Sequence, residues 1–223
     1  MKKLLYLFIA LVLLAGCTPE KPSADDNGEN QEQPQDPNTP EDPQDPNTPE
    51  DPQEPEAPEE PEFPDNPLSQ LTGDVELVFD PDNTLVYADC YGDCYNTGLY
   101  CWGMFFMEFN SDFMLYVEIL TASQELEVPI GIFKATDDLQ EEGGMLIGKI
   151  ETDVDGQFMA YSWFTQLETS TSPAATAPIY LGTTEIEVNS DGTFTATFDL
   201  IDDAGNNLDG TFCGEMIIED FRI

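Results

Sequence analysis

Four cysteines, Cys90, Cys94, Cys101 and Cys213, carry the most versatile chemistry in the C-terminal two-thirds of the chain. An even set of thiols can close up to two disulfides, stay free and buried, or hold zinc as thiolates. The C-x3-C-x6-C spacing lacks the paired C-x2-C knuckles of a four-thiolate zinc site, so disulfides and free thiols are the better readings. Three connectivities fit, and spacing does not choose among them. Carboxylates are the second resource, with 46 Asp and Glu against 6 Lys and Arg and no histidine. Without imidazole there is no Ser-His or Cys-His catalytic pair and no histidine metal ligand.

Two acidic stretches, Asp80–Asn83 and Asp202–Asp209, could offer oxygens to calcium, which takes six to eight of them. Neither has the D-x-[DN]-x-[DN]-G pattern with a glutamate at the twelfth position. Asp and Asn also build ordinary β-turns by bonding their own backbone, which is the preferred reading here. Paired acids could cleave a glycosidic bond. Residues 68–223 hold 29 acids, however, so proximity alone marks none of them. The expectation is a non-enzymatic protein with no cofactor and no metal. A formal charge of −40 repels phosphate backbones and argues against nucleic acid as a partner.

Aromatic residues crowd the stretch between Tyr87 and Tyr116. Tyr91, Tyr95 and Tyr100 flank turns at Gly92 and Gly98, and Trp102 follows them. These four are the candidate ligand-binding residues, because exposed rings stack on sugar faces or anchor a protein partner. Phe105, Phe109 and Phe113 are expected in the core.

Positioning these groups falls to strands. Thr193–Leu200 alternates strictly, with Phe194, Ala196, Phe198 and Leu200 on one face and polar residues on the other. Further strands are expected at 74–79, 85–91, 99–109, 113–121, 131–135, 145–152, 157–165, 179–183, 185–188 and 207–218. Turn chemistry separates them, with Asp191-Gly192 the clearest hairpin. No long helical stripe is present, and 137–142 is expected to form a single turn at most. The fold class is therefore all-β: an antiparallel β-sandwich of about nine or ten strands, with a lipocalin-like β-barrel as the alternative.

The chain before this domain differs in composition. Residues 18–67 contain 14 prolines, 17 acids and a single base, Lys21, and Phe63 is their only large apolar residue. Such a segment cannot offset the entropy cost of ordering. Its nine-residue repeat, Gln35–Pro43 and then Gln44–Pro52, places proline at every third position and favours polyproline II. The expected role is a stiff, solvated spacer. Residues 1–17 begin with Lys2 and Lys3, continue through an uncharged run from Leu4 to Leu14, and end in Leu14-Ala15-Gly16-Cys17. That run is too short to span a bilayer and reads as a secretory signal.

The last four residues of this segment resemble the lipobox of bacterial lipoproteins. The resemblance implies that Cys17 is lipidated on its sulfur and becomes the first residue of the mature chain. The lipobox, tether and single β-domain together resemble small surface lipoproteins of gut Bacteroidota. Tyr91-Gly92-Asp93, Asn96-Thr97-Gly98 before Trp102, Pro129–Phe133, Gly192–Phe194 and Gly210–Gly214 carry that likeness. Aromatic residues would be expected in such proteins where Cys90 and Cys94 stand. The resemblance supplies no catalytic residues. In that phylum an acidic stretch after the lipidated cysteine resembles a surface-export signal; Glu20, Asp25 and Asp26 fit it, with Lys21 and Pro22 interrupting. The implied location is the outer membrane, anchored by lipid and facing the exterior. The expected function is a binding or adhesion module for a glycan or a host or cell-surface protein. A coat protein without a small ligand is the alternative, and a small glycan-degrading enzyme is a third reading.

Overall fold

In the computed structural model, residues 62–110, 112–154, 156–169 and 172–222 are described. Cys17, the segment 1–17 and residues 18–61 of the proposed spacer lie outside them. Thirteen strands are present and no helix is found among the described residues. They are β1 (Val75–Leu77), β2 (Thr84–Gly92), β3 (Tyr100–Glu108), β4 (Phe113–Thr121), β5 (Gly131–Thr136), β6 (Gly144–Leu146) and β7 (Lys149–Asp153). They continue as β8 (Gly156–Ala160), β9 (Trp163–Thr169), β10 (Ser172–Val188), β11 (Phe194–Asp202), β12 (Asn207–Gly214) and β13 (Ile217–Asp220). The all-β expectation holds.

Eleven strands form one sheet in the order β1-β12-β11-β10-β5-β6-β4-β3-β2-β13, with β9 bridging β10 and β4. The hairpin β7–β8 stands apart as a two-stranded sheet. Pairing is not purely antiparallel: β1 with β12, β13 with β2 and β5 with β6 run parallel. The first two add the ends of the domain as parallel edges, which a reading built on hairpins does not anticipate.

Strand β10 is longer than the alternation suggests, because Pro173 and Pro178 interrupt the pattern without ending the strand. Its register slips at Ser172/Pro173, Pro173/Ala175 and Ile179/Leu181. Before the last slip β10 pairs with β9, and from Thr183 onward with β5. Gly182 makes this change of partner possible. Its φ is 105°, and a Cβ there would collide with the backbone oxygen of Asp199. A side chain would be both strained and blocked.

Alternation sends Val86, Ala88 and Cys90 of β2 and Trp102, Met104 and Phe106 of β3 to the inner side. There they meet Leu115, Val117 and Ile119 of β4 and Phe198 and Leu200 of β11. Phe79 joins the halves, its ring lying 5.3 Å from that of Phe113, 5.7 Å from Phe198 and 5.9 Å from Phe212. Each fully buried ring of this kind stabilises the fold by about 1.5–3 kcal/mol. Asp191-Gly192 forms the expected hairpin between β10 and β11, with the Asn189 N–H donating to the Thr193 carbonyl at 2.7 Å.

The folded body begins earlier than residue 68. Phe63 packs its ring 6.1 Å from that of Tyr180, and Leu68 and Ser69 donate backbone N–H bonds to Asp203 at 2.6 and 2.9 Å. The one large side chain of the proline-rich segment thus leans on Tyr180 while staying 39% exposed.

Cys90, Cys94, Cys101 and Cys213 carry reduced thiols in this structure. Cys90 faces the main core, whereas Cys213 is exposed on β12 with Asn189 Nδ2 3.7 Å from its sulfur. Two side chains on opposite faces of separate strands cannot reach across a folded sheet to bond.

Candidate functional site

The other face of β2, β3, β4 and β13 is where the remaining chemistry gathers. Residues paired directly across strands point to the same side. The registers therefore define two rows. One contains Ile217, Tyr87, Phe105 and Tyr116 and ends on Trp163 of β9. The next contains Glu219, Asp89, Gly103 and Glu118. Tyr87, Phe105 and Tyr116 are half-buried, Ile217 is 44% exposed, and Trp163 is covered. With strands about 4.8 Å apart, the three half-buried rings cover roughly 10 Å of sheet. The rings of Phe105 and Tyr116 are 4.3 Å apart.

The carboxylate row is built by burial. Glu118 is 6% exposed and accepts hydrogen bonds from three neutral donors. These are the Tyr95 hydroxyl, the Tyr116 hydroxyl at 3.0 Å and the Cys101 thiol at 3.1 Å. Asp89 is 2% exposed. Its Oδ2 accepts from the Tyr91 hydroxyl at 3.4 Å, while its Oδ1 has no partner within the protein. Burial, and then repulsion from Glu219, push its pKa up from 3.8 to about 6. Burial beside these carboxylates also raises the Tyr91, Tyr95 and Tyr116 hydroxyls above the ordinary tyrosine range, so all three stay proton donors. Gly103 is a notch between the two acids. A Cβ there would lie 2.5 Å from Tyr116 Oη and 2.8 Å from Tyr91 Cε2.

The four aromatic residues singled out from sequence are not one surface. Trp102 is fully buried in the core, because position parity on β3 turns it inward. A ring with no solvent exposure cannot stack on a ligand, so its assignment as a ligand-binding residue is corrected. Tyr100 packs at the margin of the same core. Tyr91 and Tyr95 do lie on the outer face, half-buried in a second cluster with Cys101, Leu120 and Leu146. Their hydroxyls serve Asp89 and Glu118. Of the expected core phenylalanines, Phe113 is buried, Phe109 is 55% exposed, and Phe105 stands on the outer face. Tyr87, Asp89, Phe105, Tyr116, Glu118 and Glu219 were not singled out. Their period-two spacing on β2 and β4 was visible, but which parity faces outward was not.

No protein-family model, curated protein or solved structure matches this chain. The site is therefore read from its own geometry.

The acidic loops act as turns. Asp202 Oδ1 accepts the Ala204 and Asn206 N–H groups at 3.0 and 2.8 Å, and its Oδ2 accepts from Ser69 Oγ at 2.6 Å. Asp80 likewise accepts from the Asp82 N–H and the Asn83 amide. Among the described residues no three Cys, Asp or Glu side chains converge as a metal site would require. An open groove of about 540 Å³ lies between residues 70–76 and Gln166, Ala174 and Ala175. It offers no aromatic ring and no buried acid, which leaves the outer-face rows as the candidate site.

Proposed function

We propose that this chain is a lipid-anchored protein of the outer membrane, displayed toward the cell exterior, whose β-domain binds an uncharged saccharide. The observation that carries the binding reading is the row of half-buried rings Tyr87, Phe105 and Tyr116, which the strand registers set side by side on the outer face. Apolar C–H faces of a sugar suit such rings. Anionic sugars are disfavoured, because three bases stand against 29 acids in residues 68–223. Lys149 and Arg222, two of those bases, are already paired with Glu151 and Asp220 at 2.8 Å. Support for the anchor and the display comes from the lipobox-like residues before Cys17 and the proline-rich spacer. The sequence holds no histidine for a Ser-His or Cys-His pair, which supports a non-enzymatic reading.

The test is an array of neutral glycans probed with the mature chain. Tyr87→Ala and Phe105→Ala should each weaken a hit about tenfold, equivalent to about 1.4 kcal/mol. Phe109→Ala, exposed elsewhere, should leave it unchanged. Binding that survives both ring deletions would refute the site, and no binding at all would favour the coat-protein reading.

A further inference from the structure

Two independent anchors bring one pair of cysteines together. Cys101 lies on β3 opposite Gly92, where β2 ends in a bulge. Its thiol donates to Glu118 Oε1 at 3.1 Å. Cys94 is two residues past Gly92, with its N–H held by the Gly92 carbonyl at 2.9 Å. The neighbouring Tyr95 places its hydroxyl on the same Glu118 oxygen. One carboxylate thus gathers both ends of the short 92–101 loop and brings the Cys94 and Cys101 thiols near enough to shift each other's titration. Cys94 is exposed while Cys101 is fully buried. Cys90 and Cys213 have no such neighbour.

We infer that Cys94 and Cys101 form a disulfide by exchange with a donor disulfide, Cys94 attacking first and Cys101 resolving. The inference that this happens in the cell rests on the export proposed above, since the envelope lies outside the reducing cytosol. In the first step the Cys94 thiolate attacks one sulfur of the donor, giving a mixed disulfide and releasing one donor thiolate. Cys101 then attacks the Cys94 sulfur, its proton passing to the departing donor sulfur, which leaves as the second donor thiol. Two protein thiols are oxidised and one donor disulfide is reduced to two thiols, so the electrons balance. The order follows from access: Cys94 reaches solvent, whereas Cys101 is buried in a cluster with Leu120 and Leu146. The neighbouring Cys101 thiol also lowers the pKa of the Cys94 thiol, while the Cys94 thiol, then burial, then Glu118 raise that of Cys101.

The test uses the purified full chain, reduced and then exposed to oxidised glutathione. Peptide mass mapping should find Cys94 joined to Cys101 and no other pair within the domain, with the mass lower by two hydrogens. Cys101→Ser should trap glutathione on Cys94. A pair involving Cys90 or Cys213, or glutathione accumulating on Cys101 in Cys94→Ser as fast as on Cys94 in Cys101→Ser, would overturn the inference. Failure to form any bond would do the same. Alkylation of intact cells separates the two proposals: free thiols there, with the bond forming in vitro, would refute the export reading and leave the pairing standing.

Discussion

Replacing Asp89 with asparagine tests whether the outer face holds an acid against its preference. In the folded domain the carboxyl titrates near pH 6, against 3.8 for an ordinary aspartate, chiefly because of burial and then because of Glu219. Below the lower value both the folded and the unfolded chain carry the proton, and nothing is lost. Between the two values the unfolded chain releases its proton first, so stability falls as pH rises through that window. Above pH 6 the penalty is complete and constant. The full gap corresponds to about 3 kcal/mol, which water screening at a sheet surface reduces to about 2 kcal/mol. Asp89→Asn should therefore be more stable than the parent at pH 8 by about 2 kcal/mol, or about 4–8 °C in Tm for a domain of this size. At pH 4 the two should converge. Thermal unfolding of both proteins from pH 4 to 8 gives the answer, and the difference curve cancels titration of the other acids. Parallel curves, or a variant less stable at pH 8, would refute the argument that burial opposes this charge.

Two further outcomes probe the frame beneath the site. Trp102→Ala should cost about 3–5 kcal/mol, because the ring is fully enclosed by the main core, and urea titration would show it. Gly182→Ala should cost about 3 kcal/mol or prevent folding, since its φ of 105° and the Asp199 oxygen both oppose a side chain. Soluble yield and unfolding midpoint report which, and a neutral result would show that β10 can change partners without this bend.

The alternation at Thr193–Leu200 and the Asp191-Gly192 turn led directly to β11 and its hairpin, because both are local signals. Pro173 and Pro178 hid the first half of β10, and the parallel edges β1 and β13 are long-range pairings that no local pattern encodes. At the site, period two marks 85–91 as a strand. It could not tell inside from outside where both faces are apolar. That is why Trp102 was read as a surface ring and Phe105 as core. The Asp and Asn loops were legible as turns, because such side chains bond the backbone within a few residues. Glu118 was invisible in advance, since its three donors come from residues 2, 17 and 23 positions away.

The seating of Phe63 also fixes where mechanical load enters. Tension drawn through the leading segment meets the Phe63–Tyr180 contact first and the two Asp203 bonds next. The Gln70–Thr176 backbone bond follows, and only then the β1–β12 rungs, from Val75–Leu208 to Leu77–Gly210. This lead-in serves as a strain relief: a pull along the chain peels a few replaceable contacts before it disturbs the edge strand.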